Sequence, residues 1–311
     1  MGALPPWPPA GPIRNMQALP LRRQTLFSSA TVTIDHIVCT PLDEACGPLQ
    51  APAQDLLVLP LSGLFARHDG PRRHFIANAN HALMMRRGRP YRLSFPGRVG
   101  DTALSIAFHQ PQQSALFEAG APAGGAPSFE SADLPAQALL PPAVMLGRSL
   151  LARRLLATPR VMPGATSRGA STTTALQVEE ESLALLDAAV HASRVGDRYR
   201  RRATTFARHR RQVEAVKEAL AQAPGHAWNL AELARHAHAS RFHLARVFRA
   251  EVGIPIHQYL LRCRLGASLP AVLAAGADLT PIALASGFSS HSHFSSRFRH
   301  FFGTAPSRLR G

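Results

Sequence analysis

Between about Thr25 and His109 the apolar residues come in short runs, several of them alternating with polar ones: Thr31–Cys39, Asp55–Phe65, His74–Met85, Tyr91–Phe95 and Thr102–Phe108. Gly, Pro, Asp and Asn separate the runs. A period of two with such breaks predicts an antiparallel β domain. A Pro-, Ala- and Gly-rich stretch, Pro111–Pro127, interrupts it, and the period then changes. A first helix is predicted from Pro142, a favourable first-turn residue, carrying Val144, Leu150, Leu151 and Leu155. A second, about Thr174–Val195, spaces Leu176, Leu183, Leu186 and Val190 beneath the acidic run Glu179–Glu181. Such stripes either cover the sheet or pair with another subunit, and an apolar helical stripe ordinarily packs on its own domain.

The last hundred residues repeat themselves. Asn229-Leu230-Ala231-Glu232-Leu233-Ala234 corresponds to Asp278-Leu279-Thr280-Pro281-Ile282-Ala283 at an offset of 49 residues. Leu244, Phe248, Arg249 and Gly253 then match Phe294, Phe298, Arg299 and Gly303 at an offset of 50. Asn229 and Asp278 are good helix-capping types for a short first helix. A turn follows, holding His238 and Ala239 before the helix-start residue Ser240 in one copy, and Gly287, Phe288 and Ser289 in the other. In the next helix of the first copy Leu244, Val247 and Phe248 share one side, while Phe242, Ala245, Arg246 and Arg249 share the opposite one. One face packs and one stays free. Two helices joined by a short turn, the second with a free polar face, describe a helix-turn-helix unit sized for a DNA major groove. An apolar helical segment, Ile256–Ala275, joins the copies, with Gly266 and Pro270 as unusual interior residues.

Charge agrees with that pattern. The 311 residues carry 35 Lys plus Arg against 19 Asp plus Glu, a formal +16. Divided at Gly196, the first part has 17 basic and 13 acidic residues and the second 18 and 6, so +12 of the excess lies in the repeat region. All basic residues but Lys217 are Arg. A polyanionic partner such as double-stranded DNA fits this balance. Seven Arg between Arg198 and Arg211, with no acid among them, mark a basic hinge that is either solvated or set against phosphate.

Three cysteines, Cys39, Cys46 and Cys263, do not make a disulfide scaffold and fit a reducing cytoplasm. Six prolines in the first twenty residues rule out a signal-peptide apolar core, and no apolar run is long enough to span a bilayer, so no membrane association is expected. Ser28, Ser29, Thr31 and Asp35 follow the Arg22-Arg23 pair too soon for a twin-arginine export signal.

Residues 208–311 resemble the DNA-binding domain of the AraC/XylS family of bacterial transcription regulators. The resemblance is carried by Ser240–Arg249 with Gly253, by Gly287–Arg299, and by Phe302-Gly303-Thr304-Ala305-Pro306 with Arg308. It implies two helix-turn-helix units reading successive major grooves on one face of DNA. It also implies a base-proximal set: Phe242, Ala245, Arg246 and Arg249 in the first unit, His291, Ser292, Ser295 and Ser296 in the second, with Arg299 beside them. Arg246 can take both major-groove acceptors of a guanine, while Arg249 and Arg299 suit phosphate. Family members often carry Arg where this chain has Ser296. Asp55–Gly63 and Pro90–Ser94 are similar to the cupin-like sensor domain that precedes many such DNA-binding domains.

The resulting expectation is an α+β chain. Residues 1–24 form a Pro-rich mobile arm, 25–196 a cupin-like antiparallel β domain with helices that binds an effector or dimerises, 197–208 a basic linker, and 209–311 an all-α domain with two helix-turn-helix units. The resemblance implies a transcription regulator, by family analogy an activator, that responds to a small-molecule effector, works as a homodimer and contacts RNA polymerase. No cofactor, metal or catalytic residue is assigned. The rival reading is a metal- or thiol-based sensor, or a cupin-type enzyme, fused to a DNA-binding module. His36, Cys39 and Cys46 are its loose cluster. The β region has no His-x-His pair for a cupin metal, and His236/His238 and His291/His293 fall in or beside the helix-turn-helix units, where i and i+2 diverge. Gly-x-Ser-x-Gly, P-loop and Rossmann motifs are absent from the sequence.

Overall fold

The computed structural model describes residues 21–70, 73–109, 137–157, 172–200 and 206–310. Most of the expected arm, the Pro111–Pro127 stretch and positions 201–205 of the expected linker lie outside the described residues.

The alternating runs form eight strands: β1 (Leu21–Ser28), β2 (Val32–Cys39), β3 (Leu56–Gly70), β4 (Arg73–Asn78), β5 (His81–Met85), β6 (Arg92–Ser94), β7 (Asp101–Phe108) and β8 (Gln137–Leu139). They build one antiparallel sheet in the order β1-β2-β7-β3-β5-β8, with β4 and β6 also paired to the long β3. The first strand opens at Leu21 rather than Thr25, because Leu21–Gln24 pair in register with Cys39–His36. Val32, Ile34, Leu57, Leu59, Leu104 and Ile106 make the buried face, as their alternation predicts.

Among the described residues eight α-helices follow: α1 (Pro142–Ala157), α2 (Thr172–Arg200), α3 (Phe206–Gln222), α4 (Leu230–His236), α5 (Arg241–Val252), α6 (Ile256–Val272), α7 (Leu279–Ala285) and α8 (His291–Phe302). The second helix runs past Val195 and through Gly196 to Arg200, into the first positions of the expected linker, with no Pro in its path. Leu151, Leu155, Leu185, Leu186 and Val190 of α1 and α2 complete the core of the sheet, so most of both stripes packs within the chain. Leu156, Leu176 and Leu183 of the same helices remain exposed.

The C-terminal repeat divides its apolar residues between two cores. Leu233, Ala234, Leu244, Val247 and Phe248 of the first copy pack with Val213, Val216 and Leu220 of α3 and with Tyr259 of α6. Phe288, Phe294, Phe298 and Phe302 of the second copy instead join the same continuous core as the sheet, α1 and α2.

Candidate nucleic-acid interface

Each copy of the repeat is built by the same local devices. Asn229 Oδ1 accepts from Glu232 N (2.9 Å) and Asp278 Oδ1 from Thr280 N (2.9 Å), starting α4 and α7. Ser240 Oγ accepts from His243 N (3.3 Å) and Ser290 Oγ from His293 N (3.2 Å), starting α5 and α8. Both second helices end on a left-handed glycine, Gly253 (φ 84°) and Gly303 (φ 75°). The connecting turns solve one backbone problem in two ways. Gly287 takes φ 78°, and a Cβ there would stand 2.6 Å from Gly225 O, so only glycine fits. The equivalent residue of the first copy, His238, adopts φ 48° without being glycine.

The caps fix which side of each second helix is free. Leu244, Val247 and Phe248 turn α5 inward, leaving Phe242, Ala245, Arg246 and Arg249 exposed. Phe294 and Phe298 do the same for α8, leaving His291, Ser292, Ser296 and Arg299 exposed and Ser295 half-buried. The sequence-predicted residues therefore share one free face on each helix. Their chemistry differs. In α5 a fully solvated phenyl ring, 81% exposed, stands with two guanidinium groups. In α8 the face is hydroxyl and imidazole with one guanidinium, Arg299, and His291 Nε2 and Ser295 Oγ stand 3.1 Å apart and Ser289 Oγ and His293 Nδ1 3.2 Å apart. The ring of His236 lies against Trp228, 5.7 Å between centroids.

The helix joining the units is fastened to the sheet, which the repeat pattern did not indicate. Asn78 Nδ2 donates to Tyr259 Oη (3.0 Å), and Asn80 Nδ2 to Cys263 Sγ (3.1 Å). Gly266 explains itself here: a Cβ would stand 3.0 Å from Met145 Cε and 3.4 Å from Ala79 Cβ. Pro270 lies in the last turn of α6, which runs through it to Val272. Glu214 of α3 accepts the β4 amide of Ile76 (2.6 Å) and forms a buried ion pair with Lys217 (2.9 Å). Fully buried Arg148 of α1 donates to the carbonyls of His81 (3.2 Å) and Ala79, and Arg262 of α6 donates to the carbonyl of Leu140. At the far end Arg153 donates to the carbonyl of Leu309 (2.7 Å). A Glu–Lys pair three residues apart in a charged, amphipathic helix is the sequence signal nearest to this seam, and such pairs are ordinarily solvated.

Titratable groups within the sheet are set by burial. His81 is held well below the ordinary imidazole range, first by burial and then by the charges of Lys217, Arg262 and Arg148, and is neutral. Burial and the neighbouring Asp101 push the Cys39 thiol up to about 12, and burial raises Cys46 as well. That is opposite to the depressed pKa that makes a thiolate sensor.

A family profile described as a helix-turn-helix domain matches residues 233–311. The transcriptional activator AarP of Providencia stuartii is 31% identical over 115 residues, covering 36% of this chain and 82% of AarP. The transcriptional regulator ArgR of Pseudomonas aeruginosa is 37% identical over 75 residues, which is 24% of this chain and only 23% of ArgR. Among solved structures, ToxT of Vibrio cholerae aligns over 89% of this chain and 97% of its own, at 11% identity and a TM-score of 0.32. An AraC-type regulator from Chromobacterium violaceum aligns over 32% of this chain and 88% of its own, at 26% identity and a TM-score of 0.31. The chain belongs to the AraC-type helix-turn-helix transcription regulators.

Proposed function

We propose that the two units read successive major-groove segments of a double-stranded operator, and that the sheet with α1 and α2, the region expected at 25–196 and reaching from Leu21 to Arg200, makes this reading respond to a small effector. The observation that carries it is the duplicated free face, capped identically in α5 and α8. Arg246 takes the base-reading role, since its fork matches the two acceptors of guanine, whereas Arg249 and Arg299, a turn farther on, neutralise phosphate. Phe242 and Ala245 offer apolar contact, and His291, Ser292, Ser295 and Ser296 offer rotatable donors and acceptors. The mode of action is activation through RNA polymerase by a cytoplasmic homodimer without enzymatic activity, and the basic stretch 197–208, which includes the end of α2 and the start of α3, leads to a DNA-binding domain at 209–311.

The test is selection of genomic fragments by the full chain at near-physiological salt, repeated at higher salt. The expected motif has two blocks about 10 base pairs apart, the spacing of successive major grooves on one face. Binding that is sequence-blind and lost with salt would mean counterion release alone, and overturns the reading.

A further inference from the structure

The free faces of the two units differ at three aligned positions. At an offset of 50 residues Phe242, Ala245 and Arg246 of α5 stand where α8 has Ser292, Ser295 and Ser296, while Arg249 is matched by Arg299. The arginine suited to phosphate is kept, and the three positions nearer the helix start are exchanged. Phe242 lies in the first turn of α5, just after its Ser240 cap. A recognition helix meets base edges with its N-terminal residues, so this is a reading position. The ring is 81% exposed and belongs to none of the apolar cores, so the fold does not use it.

A single exposed apolar side chain is ordinary, and its neighbours give this one a meaning. Ala245 and Arg246 follow Phe242 at i+3 and i+4, so all three share one strip of the helix and line one groove. Among the described residues no carboxylate holds the exposed Arg246. Along the helix axis Phe242 and Arg246 are about 6 Å apart, against about 3.4 Å between successive base pairs. Helical side chains lean toward the N-terminus, which carries the long Arg246 toward the ring. With the guanidinium on the two acceptors of a guanine, the ring therefore meets the adjacent base pair. A pyrimidine shows the major groove its C4 substituent and its C5 position, which carries a methyl group in thymine. Phenyl and alanine methyl groups have no donor or acceptor for the C4 oxygen or amine, and gain only from a methyl group at C5. To such a surface thymine and 5-methylcytosine are alike, and cytosine and uracil both fall short. The three serines of α8 offer no matching apolar strip.

We propose that Phe242, set beside Ala245 and Arg246, reads the C5-methyl group of a pyrimidine next to the guanine, so that the first unit accepts thymine or 5-methylcytosine there and discriminates against unmethylated cytosine. The proposal deepens the reading of α5 as a base-reading helix and rests on it. Methylation of a cytosine at that position is then a covalent mark to which the first unit responds and the second does not. The ring acts as a specificity determinant rather than as a source of affinity for DNA in general, because it carries no charge for phosphate.

The experiment titrates the full chain, at fixed salt, against duplexes carrying the motif it selects. Each thymine is replaced in turn by deoxyuridine, which removes one methyl group and nothing else. In the first block one thymine beside guanine should then lose about fourfold in affinity, the worth of one buried carbon. Changing that T·A pair to C·G should weaken binding at least as much, and 5-methyldeoxycytidine in the same place should recover about fourfold. Phe242→Ala should abolish both differences and Phe242→Leu should keep them, each with the unfolding midpoint of the parent. Thymines of the second block should tolerate deoxyuridine. The proposal is overturned by a first block in which no thymine beside guanine is sensitive to deoxyuridine, by a methyl preference that survives in Phe242→Ala, or by an equal preference in both blocks. A selected motif without methyl preference strikes the proposal and leaves the operator reading standing, whereas the absence of any selected motif refutes that reading and the proposal with it.

Discussion

The two helix-turn-helix units are alike in how they are made and unlike in what they are attached to. Their caps and terminal glycines correspond one for one, and inward Leu244 and Phe248 take the places of Phe294 and Phe298. Yet the first unit keeps a core of its own with α3, and its supporting helices α3 and α6 meet the sheet through hydrogen bonds from the Ile76 amide to Glu214 and from Asn78 and Asn80 to Tyr259 and Cys263. The second shares one apolar core with the sheet and the helices α1 and α2. Their outer faces diverge in the same direction, with Arg246 in the first where the second has Ser296. A duplicated unit thus preserves what its own folding requires, while its mounting and its readout are free to change.

The largest expected effect comes from emptying each core. Phe248→Ala and Phe298→Ala remove fully buried rings and should each cost about 3–5 kcal/mol. In a Trp7→Phe background Trp228 fluorescence reports the first unit, against which Trp228 packs, and amide hydrogen exchange of β2 and β7 reports the sheet. Phe248→Ala should move the Trp228 transition most, and Phe298→Ala the sheet signal most; identical shifts in both signals for both variants would erase the distinction between the two mountings.

A pH experiment sharpens the same contrast. Burial raises Asp101 at the start of β7 to about 7, from an ordinary 3.8. The folded state then holds a proton that the unfolded chain has released, so this group's contribution is complete below about pH 4 and is lost as pH rises through 7. Asp101→Asn, which mimics the protonated acid, should gain stability over the parent between pH 4 and pH 8, by on the order of a few kcal/mol. Denaturant midpoints of the parent and the variant across that range provide the check. A constant difference between the two proteins would contradict the assignment.

Next in size are the reading faces. Arg246→Ala should cost roughly 1–3 kcal/mol on a selected operator and relax preference in one block only. Ser296→Ala should change affinity by less, and Ser296→Arg should add a base preference to the other block. Equal losses on specific and random DNA would reassign Arg246 to phosphate. The smallest effects are the caps: Ser240→Ala and Ser290→Ala should each lower stability by about 1 kcal/mol, in equal measure if the two units fold by the same local rules.

The repeat was legible in the sequence because caps, turns and helical periodicity act over a few residues and leave their marks within each copy. Asn229, Ser240, Gly287, Phe294 and Phe298 all take the places that local chemistry assigns them. The strands were legible for the same reason, except for the start of β1, whose Leu21–Gln24 are ordered by pairing with β2 rather than by their own pattern. The seam was not legible. Asn78 and Tyr259 are 181 positions apart and Ile76 and Glu214 are 138 apart, and no periodicity within either segment encodes its partner. Gly266 showed the same limit: an interior helical glycine reads as a defect until Met145 and Ala79 are found against it.

The division of the apolar core also has a consequence for how the chain comes apart. Cooperative unfolding follows shared cores rather than the order of segments along the chain. Amide hydrogens of α8 should therefore exchange with solvent together with those of β7 and β2, which lie about 190 and about 260 positions earlier. Those of α5 should open with α3, as a separate event. The stretch that reads as one DNA-binding domain would then be, in exchange kinetics, two unequal halves, one of them belonging to the sheet.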